Sequence, residues 1–177
     1  TPVTITITPQ PVINPTATPS VLCLGASSQL AANNYVSGNL QTAVLAGNGA
    51  SGNAFNISNI NGSSPIRIDS VYMGISSGTL AEVWYIPGGY GCANLNSSAG
   101  WTLVGSVAIT AAGFSPNLTS IPLNLNVTIP VGQTYGFVVV CNGSNYYTDG
   151  SAVCSPLIGD ANISISQGHG GAGIGGA

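Results

Sequence analysis

Two adjoining stretches, LNLNVTI (Leu123–Ile129) and YGFVVVC (Tyr135–Cys141), decide the fold. In the first, Leu123, Leu125, Val127 and Ile129 alternate with Asn124, Asn126 and Thr128, the period of two that marks a strand with one wet face. In the second, both faces are apolar, which predicts a strand at the centre of its sheet, covered on each side. Working outward, short segments of similar character recur between turn signals. Leu40–Leu45 is followed by a Gly47-Asn48-Gly49 turn signal, and Ala54–Ile60 and Ile66–Ile75 come next. Leu80–Ile86 ends at Pro87-Gly88-Gly89, and Trp101–Thr110 is expected to place Trp101, Leu103, Val107 and Ile109 on one face. Ala161–Ser166 closes the set with Ile163 and Ile165 inward. No segment has a 3.6-residue period with caps. Many short strands at near-regular spacing predict an all-β chain, an antiparallel, jelly-roll-like β-sandwich.

The N-terminal region reads differently. TPVTITIT (Thr1–Thr8) sets Val3, Ile5 and Ile7 on one face, and Pro9, Pro11, Pro15 and Pro19 then predict an extended, semi-stiff spacer. Val21–Ala32 reads as a short strand pair around Gly25. The expected organisation is an extended strand and proline-rich segment over residues 1–33, then a sandwich over residues 34–177 with a glycine-rich tail. An isolated strand over Val3–Thr8 would leave its backbone polar groups unpaired, so it is expected to seek an adjacent sheet edge or to close a preceding domain. Both ends read as those of a slice from a longer protein.

Charge narrows the function. Only Arg67, Asp69, Glu82, Asp149 and Asp160 are charged at neutral pH, about 3% of the chain against about 25% in ordinary soluble domains. One Arg cannot build the electrostatic footprint of a nucleic-acid binder or hold an anionic membrane surface. No apolar run reaches the ~18–20 residues of a membrane-spanning helix. The surface must be made of Asn, Ser, Thr, Gln and Gly, as suits an extracellular fibre or adhesin.

The same scarcity argues against catalysis. Nothing in the spacing brings two carboxylates to one cleft, and Asp69, on the same strand face as Arg67, reads as its ion-pair partner. His169 sits in the glycine tail, where the sequence offers no packing to orient it. No catalytic residue and no resident cofactor or metal site is expected. Asp149-Gly150 and Gly159-Asp160 could donate oxygens to calcium, although a plain turn explains each.

Cys23, Cys92, Cys141 and Cys154 form an even set without metal-site spacing, so two disulfides are expected, with three pairings open. Proximity in a hairpin-like excursion favours Cys141–Cys154, closing a loop worth about 3 kcal/mol, and leaves Cys23–Cys92. Trp84, Tyr85, Tyr90 and Trp101 gather around the segment 87–100, with Tyr146 and Tyr147 in a second loop. Trp84, Tyr85, Tyr90 and Tyr146 are candidates for stacking on sugar rings beside amide side chains. The alternative is that the tryptophans fill the core. Of seven N-x-S/T sequons, those at Asn126 and Asn162 fall on outward faces and could carry glycan.

TPSVLCLGASSQLAA (Thr18–Ala32) resembles the opening of Ig-like repeats in giant secreted surface proteins of Bacteroidetes-type bacteria, and TPVTITITP (Thr1–Pro9) resembles the closing strand of a preceding repeat. AEVWYIPGGYGCANLNSSAGWTLVGS (Ala81–Ser106), LNLNVTIPVGQTYGFVV (Leu123–Val139), YTDGSAV (Tyr147–Val153) and GDANISIS (Gly159–Ser166) resemble a β-sandwich domain of the same proteins. The resemblance implies a secreted, non-enzymatic module of an adhesin or filament, exported by the gliding-associated type IX route. Its partners would be neighbouring copies or domains of the same surface protein, and glycans. Asp69-Ser70-Val71 resembles the O-glycosylation motif of those bacteria, which implies glycan at Ser70. A carbohydrate-binding module is the second expectation.

Overall fold

A computed structural model describes residues 12–18, 29–35, 38–42, 48–92, 95, 97–113, 116–147, 152–171 and 174. The chain divides into two compact units, Thr1–Asn39 and Leu40–Ala177. In the first, β1 (Val12–Thr18) pairs antiparallel with β2 (Gln29–Tyr35). The expected spacer is therefore strand over those residues. Pro15 is tolerated because, among the described residues, this two-stranded ribbon leaves one edge of each strand without ladder partners. Val3, Ile5, Ile7 and Cys23 lie outside the described residues, and so does most of Val21–Ala32.

The second unit is an antiparallel sandwich, as its alternation predicts. Its main sheet is built on β3 (Asn48–Asn59), β7 (Leu80–Pro87), β8 (Thr102–Ala108), β11 (Thr134–Tyr147), β12 (Pro156–Gly159) and β13 (Ile163–Ser166). Their order is β12-β13-β3-β11-β7-β8. β6 (Ile75–Ser77) pairs with the far end of β11, and β14 (His169–Gly170) pairs with β3. Two small ribbons form the facing layer: β4 (Ile66–Ile68) with β10 (Val127–Ile129), and β5 (Val71–Met73) with β9 (Thr119–Ile121).

β11 is central and covered on both faces. Phe137, Val139 and Cys141 point into the core between the layers, with Ile57, Val83, Ile121, Leu125, Val127 and Ile129. Val138 and Val140 point the other way, into a second core with Ala54, Tyr90 and Ile174, against which Trp84, Trp101, Cys92 and Cys154 pack. Phe137 lies between Phe55 and Tyr85 of the two flanking strands, at ring-centroid distances of 6.1 and 6.4 Å. Buried Asn59 ties the layers together, its amide donating to the carbonyls of Ser64 and Ile129, each at 3.0 Å.

Several expectations give way here. The Gly47-Asn48-Gly49 turn signal is not used as a turn at Asn48-Gly49, because β11 runs past a bulge and offers Tyr147 and Tyr146 as their ladder partners. Leu40–Thr42 form no strand. Ile66–Ile75 is not one strand but β4, β5 and the start of β6, and it crosses from the facing layer to the main sheet. The single face expected for Trp101–Thr110 is split by a bulge at Val104, where Gly105 pairs with Val83 but Leu103 pairs with Trp84. Trp101 therefore joins the second core, Val107 and Ile109 the first, and Leu103 is 44% exposed. His169 is not loose in the tail, since β14 pairs it with Ala54 and its ring meets Tyr90 edge-on.

The expected pairing of Cys141 with Cys154, and hence of Cys23 with Cys92, is also overturned. Cys92 is bonded to Cys154 across a Cα–Cα distance of 5.7 Å, and Cys141 is a buried free thiol. The reason is parity. Cys141 shares the face of Phe137 and Val139, whereas Cys154 packs on the face of Val138 and Val140, so the sheet stands between them. Asn56 lies beneath the disulfide, its amide nitrogen 3.5 Å from Cys154 Sγ and its oxygen accepting the Tyr90 N–H at 3.0 Å. Gly136 lets that loop close, because a Cβ there would stand 2.7 Å from the Tyr90 nitrogen.

Phe137→Ala should cost about 3–5 kcal/mol, read as a lowered urea midpoint. Removing the bridge with Cys92→Ala/Cys154→Ala frees a segment of 62 residues and should cost about 4 kcal/mol in the unfolded-chain entropy view. Burial pushes the Cys141 thiol above its ordinary value despite a backbone hydrogen bond at Gly143 that opposes the shift. A thiol reagent at mildly alkaline pH should therefore spare Cys141 in the folded protein and label it in denaturant.

Candidate functional site

The residues with chemistry to offer sit at one end of the first core, where β7, β8 and β11 meet the chain entering β10. Tyr85 and Tyr135 point to this face from neighbouring strands, and their rings stack at 6.0 Å with 3° between planes. Opposite them, the alternation from Leu123 onward sends Leu125 and Val127 into the core and leaves Asn124, Asn126 and Thr128 exposed. Between them lies an open groove of about 440 Å³, lined also by Val104. That volume is within the range of small-ligand sites.

Asn126 shapes this wall. Its φ of 50° lies in the left-handed region, which Asn tolerates better than most side chains. The turn stops ladder pairing there, so β10 begins only at Val127, although the period-two burial runs back through Leu125. Leu125 is instead held by its N–H donating to the Asp69 carbonyl at 3.0 Å. Among the described residues, no side-chain hydrogen bond engages Asn124, Asn126, Thr128, Tyr85 or Tyr135. Their amides and hydroxyls face the groove region uncommitted, and no charged side chain lines it.

The other aromatic candidates are placed differently. Tyr90 is buried in the second core, and Trp84 and Trp101 pack against that core. The Trp84 indole N–H donates to Glu82 at 3.1 Å. Tyr146 is half-buried near the β11 bulge, where its N–H donates to the Gly74 carbonyl. Of the four rings singled out from the sequence, Tyr85 alone lines the groove, and its companion Tyr135 was not singled out. What the sequence hides is the register that puts these two tyrosines on adjacent strands with the same parity.

Ser70, Asn126 and Asn162 are all exposed. Asn162 accepts a 2.7 Å hydrogen bond from the Asn61 amide. By contrast the sequon residue Asn56 is held under the disulfide, and the Asn142 amide oxygen accepts the N–H groups of Thr79 and Leu80.

The carboxylates are dispersed. Asp69 takes Arg67 in a two-pronged pair, 2.5 Å from Nε and 3.2 Å from Nη2, the partnership their spacing predicts. Asp160 closes a turn by accepting the N–H groups of Ile163 and Asn162, and these bonds hold its carboxyl below the usual range. Asp149-Gly150 lies outside the described residues. Among the described residues no three His, Cys, Asp or Glu side chains gather as a metal would require.

Asp160, depressed in the folded state, contributes stability above the ordinary Asp pKa that is lost as pH falls through its folded value. Cys141 and Tyr90, both raised by burial, contribute stability below the ordinary thiol and phenol values that is lost as pH rises through their folded ones. The melting temperature should therefore decline as pH falls below the ordinary Asp value and as it rises above the ordinary thiol value, as a scan of thermal melts against pH will show.

Compared with known proteins, the chain matches no family model, no curated protein and no solved structure.

Proposed function

We propose that this chain is a structural and adhesive module of an extracellular surface assembly, without catalytic activity, that joins neighbouring copies or domains of its own kind. The observation that carries the reading is an edge of the main sheet that no other strand pairs with among the described residues. The strand order ends on β8, TLVGSVA (Thr102–Ala108), which has no charged residue and no proline. Edge strands that must stay unpaired are usually guarded by such residues or kept very short. The opposite edge, β12, is short and opens with Pro156.

The sequence supplies an occupant for that edge. Val3, Ile5 and Ile7 alternate in an uncharged strand pattern that Pro9 and Pro11 keep from turning straight back. Added to β8 of the next copy, it would gain main-chain hydrogen bonds, while alternate apolar side chains set the register. A head-to-tail contact of this kind propagates rather than closes. The disulfide and the nearly uncharged polar surface are consistent with an oxidising, protease-exposed setting. Glycan at Ser70 and Asn162 would be compatible with their exposure.

Sedimentation velocity and negative-stain microscopy over a concentration series test the reading. The full chain should form concentration-dependent linear oligomers, and deletion of residues 1–8 should abolish them without changing the melting temperature of the sandwich. A full chain that stays monomeric throughout, or a deleted chain that still assembles, would contradict it.

A further inference from the structure

We propose that the groove between the Tyr85–Tyr135 pair and the Asn124–Thr128 segment binds a neutral oligosaccharide. This rests on the adhesive reading and gives it a ligand class. Three observations converge on that chemistry. The first is the ring pair. Tyr85 and Tyr135 are parallel to within 3° and stacked on each other, which covers one face of each ring and leaves the other, and both residues line the groove. Flat aromatic surface suits the C–H face of a pyranose, whose hydrogens carry the positive end of their dipoles toward the ring.

The second is the opposite wall. Asn124, Asn126 and Thr128 stand at alternate positions and are all exposed. Their two amides and one hydroxyl offer both donors and acceptors, which is what a row of sugar hydroxyls requires. None is engaged by a hydrogen bond within the described fold, so binding does not first require breaking one. A non-glycine residue at positive φ is often held where a site needs it, and Asn126 at φ 50° stands in the middle of this row.

The third is charge. No ionised side chain lines the groove. Arg67, which pairs with Thr128 in the ladder beside it, is neutralised by Asp69. An acidic sugar or a phosphate would thus lose water without gaining a counter-charge. The groove is also open rather than enclosed, which fits a chain lying lengthwise better than a buried cofactor.

The test is an NMR titration of the full chain, produced without N-glycosylation, with neutral gluco-, manno- and galacto-hexaoses and with oligogalacturonate. At least one neutral hexaose should shift the backbone amides of residues 124–128 and of Tyr85 and Tyr135, while oligogalacturonate should not. Asn124→Ala, Thr128→Val and Asn126→Gly should each weaken binding about fivefold. Asn126→Gly relieves the left-handed backbone, so its melting temperature should not fall. Leu157→Ala, at an exposed position on β12, should leave binding unchanged. Tyr135→Ala should abolish binding where it folds, and the three polar variants decide the matter if it does not. The proposal is overturned if no neutral hexaose moves these amides, if only oligogalacturonate binds, or if the polar variants bind as the parent does. Failure here with linear oligomers intact would remove the ligand and leave the building block. Sugar binding by a chain that never assembles would do the reverse.

Discussion

The two-sided burial of β11 is the constraint on which the rest of the molecule depends. A strand apolar at each position from Phe137 to Cys141 cannot serve as the wall of a single core, because one of its faces would then be wet. It must have a layer above and a layer below. The upper layer is the pair of ribbons β4–β10 and β5–β9. Among the described residues the lower one is not a sheet but Tyr90, Cys92, Leu95 and Trp101 of the loop between β7 and β8, with Cys154 and Ile174. Loops make weak covers because their backbone ordering is costly. The Cys92–Cys154 bridge and the Asn56 hydrogen bonds to Tyr90 and Cys154 compensate by fixing that loop over Val138 and Val140.

The groove follows from the same arrangement. Tyr85 and Tyr135 have the parity of Val83 and Phe137, so they belong to the upper core, but they lie at its end, where the facing layer is reduced to the chain entering β10. There the apolar half of the Leu123–Ile129 alternation closes the core and the polar half lines the opening. One periodic pattern thus produces both the packing and the candidate site. With so few charges in the chain, what such a surface can recognise is set by ring faces, amides and hydroxyls.

The parts of this legible in the sequence were those that depend on one strand at a time. The period of two from Leu123 to Ile129 was readable because burial follows side-chain direction alone, and the central position of β11 was readable because both of its faces are apolar. The Arg67–Asp69 pair was readable for the same local reason. What failed required knowing which strands are neighbours. Proximity along the chain suggested Cys141–Cys154, while the sheet between them forbids it. The Val104 bulge turned Trp101 and Val107 to opposite faces, and the lone Gly105 beside it marks such a site without fixing where the register slips. The break of Ile66–Ile75 into three strands came from competition among β9, β10 and β11 for its backbone. Tyr85 could be singled out as a ring among turns, but its pairing with Tyr135 is a fact of register.

Native-state hydrogen exchange of the amides of Val138, Val139 and Val140, followed at increasing sub-denaturing urea, tests most directly that this doubly covered strand holds the unit together. The account predicts that they exchange only through global opening, with a free energy and urea dependence equal to those of equilibrium unfolding. Exchange with small urea dependence at a much lower free energy would mean that the loop layer lifts away while the rest stays folded, and would contradict it.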